Sequence, residues 1–278
     1  MNRKLFAILF AVALIFGFTG MSMAVGPYAD AGSSAGGIAG SDYDVSGCWF
    51  GFGKAKAKVY APKTGDFSFA GPNFGAAGAY SSQKVKSSAK GFGLGIVETD
   101  AYGTALQGSG AIVDLGNGNW AAGNQSSGAS YDAWSKGFIY DKSMGNAFTI
   151  GGTLVGAANF DIGNTTVGMS GAVTGSMGNA YAGCHSYDTD AWGSGSVIHN
   201  SYANRGSGTA WTYGTASYNY NNDGYHNASG AGFAATGGIS TVTTYPNGSI
   251  TAHAMSSSMS STGGPINTGG GVYINTIN

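Results

Sequence analysis

Charge is what this sequence has least of. Only 9% of its 278 residues are Asp, Glu, Lys or Arg, against about a quarter in ordinary soluble domains. Disorder by self-repulsion is excluded, because it requires low hydrophobicity together with high net charge, and 42% of this chain is apolar. Glutamate is almost missing, Glu98 being the only one. A two-carboxylate hydrolase would therefore have to use aspartates alone. Cysteine occurs twice, at Cys48 and Cys184, with no Cys-x-x-Cys, so neither a redox motif nor a zinc knuckle is indicated. After residue 24 there is no apolar run of the roughly 20 residues that a membrane-spanning helix needs. Helix windows are lacking too, since glycine interrupts nearly every stretch of eight residues and costs a helix interior about 1 kcal/mol each time.

The amino terminus reads as an export signal. Arg3 and Lys4 precede an uncharged apolar run from Leu5 to Phe18, and Ser22 and Ala24 supply small residues where signal peptidase requires them. Residues 1–24 are expected to be removed, leaving 25–278 as a single all-β domain, secreted to the extracellular space or cell surface. That product carries 10 basic residues (12 less Arg3 and Lys4) and 13 acidic ones, a net charge of −3. The few charges are segregated. The 54–90 segment holds seven of the ten basic residues, whereas 191–278 carries only Arg205 and Asp223. A surface so neutral does not repel its own copies.

Glycine, at 51 residues, sits among β-branched and aromatic residues at period two. The clearest case runs from Phe148 to Val173. Phe148, Ile150, Leu154 and Phe160 share one strand face, with Thr149, Thr153 and Asn159 on the other; after a turn at 161–164, Val167, Met169 and Val173 oppose Thr166, Ser170 and Thr174. Asn117-Gly118, Asn222-Asp223-Gly224 and Pro246-Asn247-Gly248 predict further hairpin turns, and all five prolines fall outside the periodic runs. The expected fold is all-β: glycine-rich antiparallel hairpins forming stacked sheets, as a sandwich or an irregular β-solenoid, without substantial helix after the signal. Turn signals near 65, 118, 145, 163, 178, 205, 223 and 247 are unevenly spaced, which argues against a strict short-period solenoid. A faint internal repeat remains in the Asp-Ala-aromatic cores at Asp100, Asp132 and Asp190. Small residues on strand faces let sheets approach closely, and glycine beside an aromatic leaves room for a ring to lie over the backbone.

Candidate chemistry is sparse. Asp42, Asp44 and Ser46, followed by Gly47, match the opening of a calcium loop, but Gly53 stands where an EF-hand needs a bidentate glutamate. Calcium is the one cofactor these residues would admit, and an acidic turn before a strand is the simpler reading. Export permits a disulfide between Cys48 and Cys184, with free or intermolecular thiols as the alternative. Lys54, Lys56 and Lys58 would share a strand face as an anionic-polysaccharide or headgroup patch, or would guard a sheet edge. None of the histidines pairs at metal-ligand spacing, and no nucleophile–base pair is evident, so no catalytic residue is assigned and no nucleic acid is expected to bind. Trp211 with Tyr213, and Tyr218 with Tyr220, each share a face that would stack on sugars or on a partner's rings; a buried ladder is the alternative. Asn124, Asn164, Asn227 and Asn247 open glycosylation sequons.

Together these features point to a self-associating β-rich subunit of an extracellular filament, surface layer or matrix. An outer-membrane β-barrel and a carbohydrate-binding or adhesin module are the alternatives.

Overall fold

A computed structural model describes residues 26–47, 50–116, 118–160, 163–183, 188–262 and 266–276; the amino-terminal stretch expected to be an export signal and both cysteines lie outside them. Every regular element among the described residues is a strand. The eleven are β1 (Tyr28–Ser46), β2 (Gly51–Val59), β3 (Lys63–Ala70), β4 (Phe74–Asp114), β5 (Trp120–Phe160), β6 (Gly163–Ala182), β7 (Asp188–Arg205), β8 (Gly208–Gly224), β9 (Asn227–Thr244), β10 (Ile250–Thr262) and β11 (Ile266–Thr276).

All eleven belong to one antiparallel sheet, whose plan is a meander of six long rows. β1, β2 and β3 follow one another along a single edge of β4 and form the first row. The second row is β4, and the third is β5, paired with β4 over its whole length. The fourth is β6 then β7, which take the two halves of β5. The fifth is β8 then β9, and the sixth is β10 then β11. The sheet is open, with the first and sixth rows at opposite edges.

Each row folds back on itself near its middle, so the one sheet becomes two facing layers. The upper layer holds β1, β7, β8, β11, the second half of β4 and the first half of β5. The lower layer holds β2, β3, β6, β9, β10 and the remaining halves. In β4 the crossing is marked by a register shift between Gly93 and Ile96. In β5 it is marked by Ile139, which has a φ of 78°, a strained conformation for a β-branched residue. The turns joining successive rows gather at the end opposite the crossings. Gly116 and Gly118 have positive φ in the β4–β5 turn, as does Gly248 in the β9–β10 turn, as the Asn-Gly signals predicted.

Two expectations change. Asn222-Asp223-Gly224 does not close a hairpin: β8 and β9 pair with different strands and face each other across the layers, so this stretch is a layer crossing. The irregular turn spacing also resolves. Gly65, Gly145 and Gly178 lie inside strands and the segment near 223 is a crossing. The rows after the first begin at Phe74, Trp120, Gly163, Gly208 and Ile250, every 40-odd residues.

The space between the layers is thin and lined by small residues. Buried clusters consist mainly of alanine and valine. Ser81 Oγ donates to Gly108 O (2.9 Å), Ser87 Oγ to Tyr102 O (3.1 Å) and Ser170 Oγ to Asn200 O (2.6 Å). A serine side chain that reaches the opposite backbone places the layers well inside the roughly 10 Å of an ordinary sandwich. Three tyrosines are fully buried in this gap because glycines make slots for them. A Cβ on Gly230 would overlap the Tyr220 ring, one on Gly232 the Tyr218 ring, and one on Gly145 the Tyr131 ring. The remaining interior is a hydrogen-bonded polar lattice. The Gln107 and Gln125 amides bond each other in both directions at 2.8 Å and also reach Ser127 and Ser109, while Ser201 joins Thr212 (2.7 Å) and Ser240 (3.1 Å).

Candidate interaction faces

Alternation along each strand sends every second residue outward, and the two outward faces differ in kind. On the lower layer the outward residues of β5 and β6 are the large apolar ones. Ile150 is 56% exposed and its neighbour Thr149 is fully buried. The apolar set of the Phe148–Val173 hairpin is thus outside, and Thr149, Thr153, Thr166, Ser170 and Thr174 are inside. The pairing puts Leu154, Met169, Ile239 and Met255 in one line across four strands, and Ile150, Val173, Ala235 and Met259 in another. Between these ridges run Gly152, Gly171 and Gly237, also in register. The absent side chains leave a groove of about 870 Å³, with Tyr80 at its end. Toward the crossings the same face turns basic. Lys54 pairs with Lys90 and Lys90 with Lys142; Lys58 pairs with Lys86. Like charges directly opposite one another repel, so this block is maintained against its own electrostatics. Lys58 rests its ammonium 4.4 Å from the Tyr60 ring centre.

The upper layer's outward face carries the opposite sign. Asp42, Asp100, Trp134, Asp190 and Asp223 form one line across five strands. Beside it runs the line Tyr102, Asp132, Trp192 and Asn221. The three Asp-Ala-aromatic cores seen in the sequence are therefore neighbours, staggered so that each aspartate lies beside an aromatic of the next strand. Burial, and then Asp223 opposite, hold the Asp190 carboxyl up at about 6. Trp134 Nε1 donates to Glu98 (2.8 Å), and Lys136 lies 3.5 Å from the same carboxylate. Nearer the turns, Trp120, Tyr202, Trp211 and Tyr213 form a run of rings with successive centres 6.3, 5.8 and 5.5 Å apart.

The residues singled out in the sequence separate on this map. Trp211 and Tyr213 belong to the outward ring stripe. Tyr218 and Tyr220 are core, each 2% exposed; the Tyr218 hydroxyl donates to Ser176 at 2.8 Å and burial pushes the Tyr220 phenol up to about 12. Asp42, Asp44 and Ser46 lie in the extended strand β1 and join the acidic face. Among the described residues, no three His, Cys, Asp or Glu side chains converge on a metal position. Cys48 and Cys184 fall outside the described residues. Lys54, Lys56 and Lys58 do share a face, on the edge strand β2. Asn124, Asn227 and Asn247 are exposed and Asn164 half-buried. His199 is fully buried between the layers, with Nδ1 2.7 Å from Thr236 Oγ1, and burial lowers its pKa to about 4. It is a satisfied core residue.

Sequence reasoning missed the glycine groove and the segregation of charge between faces. Gly151-Gly152, Gly171 and Gly237-Gly238 were visible as glycines, but only pairing across strands shows that they align. Compared with known proteins, the chain matches no family model and no curated sequence.

Proposed function

We propose that this chain is an exported structural subunit that adds to copies of itself edge to edge, extending the two-layered sheet into a filament or surface layer. The carrying observation is that both terminal rows are open full-length edges whose inward residues resemble those of the interior rows. Ala29, Ala31, Ala35 and Ala39 line the inward side of β1, and Ala252, Ala254, Ser256 and Ser258 that of β10. A following copy would find the same thin, small-residue gap continued, and its backbone would satisfy the free N–H and C=O groups of the edge. Six rows at about 4.8 Å give a rise of about 29 Å per subunit. The lysines of β2 point out of the sheet face, not along the edge, and leave its backbone groups open to pairing.

Negative-stain electron microscopy of residues 25–278 tests this: filaments or sheets with that repeat are expected, and dispersed particles under all conditions would overturn it. Ala254→Lys places a charge on the inward side of the edge row, where it reaches solvent in the free subunit but is buried on addition. It should stop growth without unfolding the subunit.

A second reading rests on the Trp120–Tyr202–Trp211–Tyr213 stripe, whose outward-facing rings, exposed at Tyr213 and half-buried at the others, suit stacking on a polysaccharide. Retention on a glycan column that disappears in Trp211→Ala/Tyr213→Ala would favour it; unchanged retention would remove it.

A further inference from the structure

We propose that the two outward faces of this sandwich are complementary to each other, so that a second copy stacks on the first by simple translation along the sandwich normal, acidic face onto lysine face. The proposal extends the edge-to-edge reading but concerns a different surface.

Three independent positions support it. Charge is segregated between the faces. Every described lysine except Lys136 is on the lower layer's outward face, and every described acidic residue except Asp66 and Asp141 is on the upper one. Moreover, the opposite charges lie at matching places. Gly53 faces the Tyr43 ring across the gap, and Gly91 faces Val97. Their outward neighbours, Lys54 with Asp42 and Lys90 with Glu98, therefore lie back to back on the two surfaces. A translated copy brings Asp42 over Lys54 and Glu98 over Lys90, with no rotation required.

Shape follows the same translation. Gly214 faces Thr236 across the gap, so Tyr213 and Gly237 are back to back in the fifth row. Tyr213 belongs to the outward ring stripe and Gly237 to the floor of the groove. The same displacement that mates the charges lowers the Tyr213 ring into the trough at Gly237, beside Met169, Ile239 and Met255. Each face spans about 30 Å across six rows and about 60 Å along twenty residues, more than the roughly 800 Å² per partner of a stable specific interface. A contact using different patches on the two copies does not close on itself, and so propagates.

The test uses two variants altered only at exposed or half-buried surface positions. One is Lys54→Glu/Lys90→Glu, which sets like charges against Asp42 and Glu98 at the two mated positions; the other is Asp42→Lys/Glu98→Lys, which sets like charges against Lys54 and Lys90. Circular dichroism and thermal melts confirm folding. Wild type at low salt is expected to form assemblies several sandwiches thick by electron microscopy and light scattering. Each variant alone should give assemblies one sandwich thick, and an equimolar mixture should restore stacking, since each variant offers the face that the other needs. Gly237→Phe, at a position with room for a side chain, should block stacking by filling the trough. Variants that stack as wild type does, or a mixture that fails to stack, would overturn the proposal. Growth of single-sandwich filaments in the variants keeps the edge reading intact, whereas Ala254→Lys stops filament growth and leaves stacking untouched, so the two readings fail separately.

Discussion

The inward and outward faces of the β5–β6 hairpin invert the usual arrangement of a sandwich. Inward are Thr149, Thr153, Thr166, Ser170 and Thr174; outward are Ile150, Leu154, Met169 and Val173. The inward side is held by closeness. Small residues bring the layers together, hydroxyls and amides bond across, and rings enter only where glycine admits them. The outward side holds the bulky apolar area that a monomer would normally bury. The chain folds on packing and hydrogen bonds and leaves its bulky apolar side chains on the surface.

The sharpest test of that contrast is a pair of tyrosines. Tyr218→Ala empties a glycine-walled slot and should destabilise by about 3–5 kcal/mol, as for other large buried rings. Tyr213→Ala, on the outward stripe, should cost well under that; equal losses in urea denaturation would erase the distinction. Next comes the slot from its other side. Gly230→Val drives a branched side chain into the Tyr220 ring and should cost about 1–3 kcal/mol, read as a lowered Tm.

The polar lattice should show the asymmetry of buried hydrogen bonds. Gln125→Leu strands the Gln107 amide and should cost about 1–3 kcal/mol, while Gln107→Leu/Gln125→Leu together should cost less than the sum of the two singles. Acid should separate the regions as well. His199 is kept neutral with a folded pKa near 4, below its ordinary 6.5, so the unfolded chain binds the extra proton and His199 withdraws stability as pH falls from about 6.5 to 4. Asp141 and Asp190, raised to about 6, act in the opposite sense, with the folded state binding more protons, so they withdraw stability as pH rises from about 4 to 6. Stability against pH for His199→Gln should lack the first component and keep the second. The smallest stability change is expected from Ile150→Lys, within about 0.5 kcal/mol for an exposed site. Stacking should nevertheless fail, because the charge lies on the groove wall, while single-sandwich filaments still grow.

The strands were legible because period two in Phe148–Val173 and the Asn-Gly turns at 118 and 247 are local signals. The crossing at 222–224 was not, since Asn-Asp-Gly has the chemistry of a hairpin turn and only the partners of β8 and β9 reveal that the chain changes layer. Likewise, Trp211-Thr-Tyr213 and Tyr218-Asn-Tyr220 look alike as sequence. They part because 213 and 218 differ in parity, which sends one pair out and the other in. The acidic line was half visible in the three Asp-Ala-aromatic cores, but their adjacency depends on register.

By itself, the sequence determined the class of structure: glycine spacing forbids helices, alternation demands strands, and small residues permit close layers. Which alternating face is the interior, which glycines align into a trough and which charges share a surface were decided only by the tertiary structure, because each depends on pairing between residues tens of positions apart and on where the rows fold back.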